Sequence, residues 1–266
     1  VSGASEPDFN AIVQSLQANS LPSGWRWVGS SPDARVATDG CYYAKLFLAR
    51  SIWEWPKQLV RGGRGERAVK EALRLQRLGF LSPQVCASGH IGLTQWMVTR
   101  AVDALSFGDF ICTFFAGAGE REGIARARLY RELGALVGRL HRSGVIHGDL
   151  RPNNVLLGGR AGEALFYLID NERNRQFTQP PRRGVHKNLV QIQMLFEQDF
   201  NTAERQRFMT AYRQARGVDE AECQALAEAS QRRVNERLAG KSTQDLIRSI
   251  PEPVQTAALV QSLKGN

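Results

Sequence analysis

The rhythm of hydrophobic and polar positions changes near residue 100. Before it, short apolar and aromatic runs recur at Trp25–Val28, Arg35–Thr38, Cys41–Leu48, Pro83–Ser88 and Thr94–Thr99, a pattern that predicts strands. Asp39-Gly40 separates the second and third runs and predicts a two-residue hairpin, a turn that needs positive φ. One helix interrupts the strands. Residues 66–78 (ERAVKEALRLQRL) are rich in helix formers, and Gly79 supplies a left-handed closing residue. Beyond residue 101 the spacing is mostly helical. Across 120–142, Leu129, Leu133, Leu136, Val137 and Leu140 share one face, and Ser143-Gly144 ends the segment. Two apolar runs, Asn154–Leu157 and Ala164–Ile169, flank Gly158, Gly159 and Gly162 and predict a second hairpin. Helical patterns return near 187–198, 202–215 and 219–239, with a weaker tail to 266. The expected fold is α+β in two lobes: a small β-rich lobe with one helix over 1–100 and a larger helical lobe over 101–266.

Composition narrows the class. Of 266 residues, 42% are hydrophobic and 23% charged, which suits a globular chain rather than a disordered one. No apolar run approaches the roughly 18–20 residues of a membrane span; the longest is Ile111–Ala118. The opening VSGASEPDFN has neither the basic nor the apolar region of a secretory signal. Cys41, Cys86, Cys112 and Cys223 are widely spaced, which argues against a zinc site or a disulfide framework. A cytoplasmic protein is expected. Lys+Arg number 35 against 26 Asp+Glu, a formal charge of +9. The excess is spread over helices, with concentrations at Arg61, Arg64 and Arg67 and at Arg182, Arg183 and Lys187. Zinc-finger spacing, aromatic RNA-binding signatures and a basic zipper are all missing, so no nucleic-acid partner is expected. Charge alone leaves a membrane surface or an anionic substrate open.

Chemistry concentrates at His147-Gly148-Asp149-Leu150-Arg151-Pro152-Asn153-Asn154-Val155-Leu156-Leu157, directly after the long amphipathic helix. This matches a kinase catalytic loop. There Asp149 would accept the proton of an attacking hydroxyl, and Asn154, five residues on, would reach a Mg²⁺ held between nucleotide phosphates. Asp170 ends the next apolar strand and would supply the second metal carboxylate. Arg151 stands where it could neutralise the transferred phosphate, a task that suits a planar guanidinium. His147 reads as structural, bonding backbone near Asp170. Upstream, Lys45 sits late in its strand, where a kinase carries the lysine that pairs the phosphates. Glu71 sits mid-helix and could hold that lysine by an ion pair, with Glu66 as a competitor on another side of the helix. Leu156 would floor the adenine pocket. The strand Thr94–Thr99 would lead into the hinge that reads the adenine edge, which makes Met97 a candidate of the cofactor site near the gatekeeper position, reading as core rather than as a selectivity residue.

The order of Lys45, Glu71, HGDLRPNNVLL and LIDNER resembles the protein-kinase-like superfamily. YAKLF, EALRLQRLGFLSPQV and RLHRSGVIHGDLRPNNVLL are most similar to its bacterial lipopolysaccharide-core kinases, the Kdo/WaaP family, over roughly residues 36–198. The resemblance implies a two-lobed protein-kinase-like fold and ATP- and Mg²⁺-dependent phosphorylation of a Kdo or heptose hydroxyl. It also implies an anionic glycolipid or sugar acceptor and peripheral contact with the cytoplasmic face of the inner membrane. Alternatives in the same superfamily are a RIO-like atypical protein kinase and an aminoglycoside- or choline-type phosphotransferase. A non-catalytic pseudokinase is a further one.

Departures from the kinase pattern sharpen this expectation. GSSPDARV, ahead of the first hairpin, has no GxGxxG. Tyr43 takes the strand-face position where protein kinases usually carry a small residue over the adenine. Asp170-Asn171-Glu172 lacks the Phe and Gly of DFG, and Glu172 is a candidate to assist the metal, as a similar acid does in small-molecule phosphotransferases. About 17 residues follow Asp170 before the pattern near Lys187, with no APE motif, too few for a peptide-docking activation segment. Arg173, Arg175, Arg182, Arg183 and Lys187 crowd this stretch, which suits an anionic acceptor or reads as a solvated basic loop.

Overall fold

A computed structural model describes residues 7–31, 33–48, 63–118 and 126–264. Arg61 of the first basic concentration, Pro32 of GSSPDARV and residues 120–125 of the expected long helix lie outside the described residues. The chain divides into two compact units, Val1–Leu75 with Pro83–Val102, and Gln76–Ser82 with Asp103–Asn266.

In the first unit, helix α1 (Phe9–Gln17) precedes strands β1 (Arg26–Ser31), β2 (Ala34–Thr38) and β3 (Tyr42–Phe47). Helix α2 (Arg64–Arg77), up to Leu75, and strands β4 (Val85–Ile91) and β5 (Thr94–Arg100) complete it. The five strands form one antiparallel sheet in the order β1-β2-β3-β5-β4. A hairpin forms at Asp39-Gly40, but not with the expected two-residue turn: Thr38 pairs with Tyr43, so four residues lie between the paired positions, and Gly40 alone among them has positive φ (93°). Asp39 Oδ1 holds the wider loop by accepting the Cys41 and Tyr42 amides at 2.8 and 2.7 Å. Alternation along β3 buries Ala44 and Leu46 and turns Tyr43 and Lys45 to the opposite face.

That buried face is covered by α1, a second helix where one was expected. Asp8 caps it by accepting the Asn10 and Ala11 amides at 3.0 and 3.1 Å. Phe9, Val13 and Leu16, at helical spacing, pack with Ala37, Ala44, Leu46, Trp96 and Val98. Burying each large apolar side chain contributes about 1.5–3 kcal/mol, so tertiary packing sustains a helix of nine residues that would be marginal alone.

In the second unit, β6 (Ala104–Ser106) leads into α3 (Phe107–Ala118), which contains the Ile111–Ala118 run. Next come α4 (Arg126–Arg142), β7 (Val145–Ile146), β8 (Val155–Arg160), β9 (Glu163–Leu168) and β10 (Arg175–Gln176). Helices α5 (Arg182–Ile192), α6 (Thr202–Arg216), α7 (Glu220–Leu238) and α8 (Pro253–Lys264) finish the chain. The predicted hairpin is β8–β9, with β6 on its other edge. Strands β6, β7 and β10 have two or three residues each, too few to show a period in sequence.

Helix α4 lies close against α6, because a Cβ at Gly134 would stand 2.2 Å from the Phe208 carbonyl oxygen and one at Gly138 2.5 Å from that of Tyr212. Helix α5 starts at Arg182 rather than near Lys187. Pro181 at its N-cap presets the entry, and Val185, Leu189 and Ile192 form the buried stripe behind two arginines. Arg182 and Arg183 therefore belong to a helical first turn, and the segment after Asp170 is shorter than expected. The weak C-terminal pattern resolves as α8, whose Leu259, Val260 and Leu263 are buried and which packs on the β6-β8-β9 sheet.

Candidate active site

Helix α4 and strand β7 deliver the chain to His147, and the loop that follows is held almost entirely by buried side-chain amides. Asn188, on α5, accepts the His147 amide at 3.0 Å and donates to the His147 carbonyl at 2.7 Å. Asn174 accepts the Gly148 amide at 3.0 Å. Gln191 accepts the Leu150 amide at 3.2 Å and donates to Asp149 Oδ1 at 2.7 Å. A backbone segment with no regular ladder thereby finds partners for its polar groups.

Behind Asn188 the network continues into the helical core. His141 Nε2 lies 3.3 Å from Asn188 Oδ1 and its Nδ1 3.0 Å from the Tyr212 hydroxyl, which accepts from Arg216 at 3.0 Å. Burial pulls the His141 pKa down to about 4; the Asn188 contact opposes that shift and Arg216 adds to it. The ring is therefore neutral at pH 7. That suits it to accept at Nδ1 and donate at Nε2.

Asp149 is half-buried, and its carboxylate is fixed from several sides. Besides Gln191, Arg151 Nε stands 3.1 Å from Oδ1. Asn154 Nδ2 donates to the Asp149 carbonyl at 2.8 Å and reaches Oδ2 at 3.4 Å. His147 is structural, as expected: its Nδ1 accepts the Asp149 amide at 3.1 Å, and its Nε2 lies 3.1 Å from the Ile169 carbonyl oxygen. Burial lowers the pKa of His147, while the Asp170 charge, the Ile169 carbonyl and the Asp149 charge oppose that shift.

Asn154 and Asp170 are brought together by the hairpin. The Ile169 amide donates to the Asn154 carbonyl at 3.1 Å, so the carboxylate follows immediately after a residue pinned to the loop. Asp170 itself adopts a left-handed conformation, φ 60° and ψ 44°, and opens a 3₁₀ turn over Asn171–Arg173. Asn171 holds the turn by donating to the Leu168 carbonyl at 3.0 Å and to Ser82 Oγ at 3.2 Å. Glu172 is buried within it. Gly148 meets this turn with no room to spare: a Cβ there would lie 2.1 Å from Arg173 Cβ and 2.7 Å from its carbonyl carbon.

The donor set fits Mg²⁺. Asn154 spends its amide nitrogen on Asp149, which leaves Oδ1 as an acceptor, and that oxygen already receives a cationic group, Arg248 Nη1, at 3.1 Å. Among the described residues no three His, Cys, Asp or Glu side chains form a closed metal cage. An amide oxygen with a carboxylate suits an ion that retains water and shares phosphate oxygens.

In the first unit, Lys45 lies between Val36 on β2 and Met97 on β5, with its ammonium 5.1 Å from the Phe47 ring centroid. Met97 is half-buried and shares Lys45's side of the sheet, away from the core side filled by Trp96 and Val98. Tyr43 is exposed. The two candidate glutamates separate clearly. Glu66 is exposed and accepts the Gly63 amide at 3.0 Å, whereas Glu71 is buried and accepts from Arg74 at 2.7 and 2.9 Å. Burial raises the Glu71 pKa, opposed first by Arg74 and then by Lys70. Leu156 is half-buried on β8, opposite Ser106 and Tyr167.

Of the basic stretch, Arg173, Arg175, Arg182 and Arg183 are exposed, and Lys187 donates to the Gly148 carbonyl at 2.8 Å. Sequence reasoning missed Gln191, Asn188 and Asn174, whose amides read as ordinary helix or loop polarity. It also missed Asp109 and Arg248. Buried Asp109 accepts the Arg248 amide at 2.8 Å and the Ser249 hydroxyl at 3.2 Å.

Comparison with known proteins bears on the fold and the family. A structure of WaaP in complex with acyl carrier protein superposes with a TM-score of 0.59 at 20% identity, covering 87% of this chain and 98% of that one. It establishes a protein-kinase-like α+β fold. The Rio2 kinase of Chaetomium thermophilum, solved with ADP/Mg²⁺ and phosphoaspartate, matches at a TM-score of 0.49 and 18% identity, over 85% of this chain and 75% of that one. A probable bifunctional tRNA threonylcarbamoyladenosine biosynthesis protein of Methanosarcina acetivorans is 60% identical over 42 residues, which is 16% of this chain and only 7% of that protein. The family model described as lipopolysaccharide kinase (Kdo/WaaP) matches residues 42–212, more than half of the sequence. With that match on the same loop, hairpin and helices that build the site, the chain belongs to the lipopolysaccharide kinase (Kdo/WaaP) family, a kinase family of phosphotransferases.

Proposed function

We propose that this protein phosphorylates a Kdo or heptose hydroxyl of the lipopolysaccharide inner core, working at the cytoplasmic face of the inner membrane. The observation that carries the reading is the fixed pair Asp149–Asn154: a half-exposed carboxylate oriented by Gln191, beside an amide whose oxygen is turned away from it. Mg²⁺-ATP, when bound, supplies the phosphoryl group and the counter-charge that phosphoryl transfer needs. Asn154 Oδ1 and Asp170 would hold the metal. Lys45, positioned through Glu71, would hold phosphate oxygens, and Met97 and Leu156 would border the base.

Asp149 takes the proton from the acceptor hydroxyl. Gln191 and Arg151 hold Oδ1, so Oδ2, which Asn154 Nδ2 meets only at 3.4 Å, would be the oxygen that takes it. Arg151, largely exposed, would leave Asp149 to meet charge developing on the phosphoryl group. Positioning and charge neutralisation supply most of the acceleration. Exposed Arg173, Arg175, Arg182 and Arg183 support an anionic glycolipid acceptor. The short stretch of residues 171–181 before α5 supports a glycan rather than a docked peptide.

The test is incubation with ATP, Mg²⁺ and core oligosaccharide containing Kdo and heptose, read by mass spectrometry. Phosphate should appear on the glycan and disappear with Asp149→Asn. Transfer to protein or to an aminoglycoside instead, with the glycan untouched, overturns the assignment.

A further inference from the structure

Residues 246–249, in the stretch joining α7 to α8, run directly over the catalytic loop and are tied to it by a buried carboxylate. Asp109, only 2% exposed at the start of α3, accepts the Arg248 amide at 2.8 Å and the Ser249 hydroxyl at 3.2 Å. Asn153, the neighbour of Asn154, donates to the same carboxylate at 3.4 Å and to the Leu246 carbonyl at 3.0 Å. Three pieces of chain remote in sequence thus meet on one buried charge, and the backbone of Arg248 is held in place. Its side chain is exposed, yet its guanidinium rests 3.1 Å from Asn154 Oδ1.

We propose that Arg248 is a phosphate-contacting residue of the transfer site. The inference rests on the phosphotransferase reading above. Oxygens on adjacent corners of a Mg²⁺ octahedron lie about 3 Å apart. A phosphate oxygen at a corner adjacent to Asn154 Oδ1 would therefore come within the short reach of a guanidinium already at that atom. Without nucleotide, an ion and the guanidinium compete for one oxygen and repel each other. With nucleotide bound, the phosphate charge would attract both cations. Guanidinium geometry also suits phosphate oxygens better than a lone amide oxygen.

This sign reversal defines the experiment. Arg248→Ala and Arg248→Lys are compared with the unsubstituted protein by calorimetric titration with Mg²⁺-ATP, with adenosine and with Mn²⁺ alone. For Arg248→Ala, Mg²⁺-ATP should bind about tenfold more weakly or worse, the scale of one lost charge-assisted hydrogen bond. Adenosine should bind within twofold of the unsubstituted protein, and Mn²⁺ alone at least as tightly. Arg248→Lys should recover part of the ATP affinity. Unchanged or tighter ATP binding overturns the proposal. So does an equal loss for adenosine, or weaker Mn²⁺ binding, because either marks a merely structural role. If the unsubstituted protein binds no ATP, the phosphotransferase reading itself fails. If it binds ATP and Arg248→Ala binds it equally well, only the role of Arg248 falls.

Discussion

Gly148→Ala tests the site's geometry most directly. The added methyl would sit 2.1 Å from Arg173 Cβ, 2.7 Å from its carbonyl carbon and 2.8 Å from its Cα. Carbon atoms rest at about 3.5 Å or more, so the 3₁₀ turn must retreat by about 1.4 Å. No rotamer change can absorb this, since two of the three obstructing atoms are backbone. The turn is pinned on its other side by Asn171, and the Gly148 amide is bonded to Asn174 across the same gap. Overpacking of this kind costs about 1–3 kcal/mol, a tolerable part of the roughly 5–15 kcal/mol of a typical domain. Asp170 opens the displaced turn. A misplacement of about 1 Å in a reacting constellation costs on the order of 100-fold in rate. Turnover of Gly148→Ala should therefore fall about 100-fold while urea denaturation still reports a folded protein. Gly217→Ala is the control. Gly217 has φ 77° but no atom within 4 Å of an added Cβ, so about 1–2 kcal/mol of left-handed strain should leave turnover intact. A Gly148→Ala protein keeping a third of its turnover would refute the reasoning.

Two stability predictions follow from the buried network. His141 is held neutral to about pH 4, so below its unfolded pKa of about 6.5 the unfolded chain binds a proton that the folded one refuses. Stability then falls as pH drops from about 6.5 to 4, by up to about 1.4 kcal/mol per pH unit from this group. His147 is shifted the same way. Urea titrations at pH 7, 6 and 5 should show a slope that His141→Gln reduces by about 1 kcal/mol per unit; equal slopes would count against a neutral His141. Asn188→Leu strips partners from the buried His147 amide and carbonyl and from His141. The cost should be about 3–5 kcal/mol by denaturant, and a loss under about 1 kcal/mol would show that water replaces the amide.

What could be read from the sequence was local. Asp149, Asn154 and Asp170 stand at spacings set by one loop and one hairpin, so a linear string displays them. Most strands and long helices were visible because their apolar periods span several residues. Helix α1 escaped because nine residues with two glutamines and an asparagine show little besides the Asp8 cap and the Phe9–Val13–Leu16 stripe. The start of α5 escaped because Arg182, Arg183 and Gly184 mask the stripe beginning at Val185. The support of the site was illegible for a different reason. Gln191 and Asn188 are polar residues buried on a helix, and nothing local separates them from exposed ones. Asp109 and Arg248 meet only because α3 and the stretch before α8 converge on Asn153. Met97 looked apolar enough for the core, but strand parity put it on the other side of the sheet.

The seating of α8 on the β6-β8-β9 sheet has a consequence for biosynthesis. Gly159 approaches Ser262 so closely that a Cβ would lie 2.7 Å from the serine Cβ, and the Gly162 amide donates to the Ser262 carbonyl at 2.9 Å. The hairpin that orients Asn154 and Asp170 thus waits for a cover made about 90 residues later. At about 5–20 residues per second on the ribosome, its apolar strands stay uncovered on that face for several seconds. A nascent chain paused between α7 and α8 would expose a hydrophobic hairpin to chaperones, and the hairpin would gain its cover only when translation resumes.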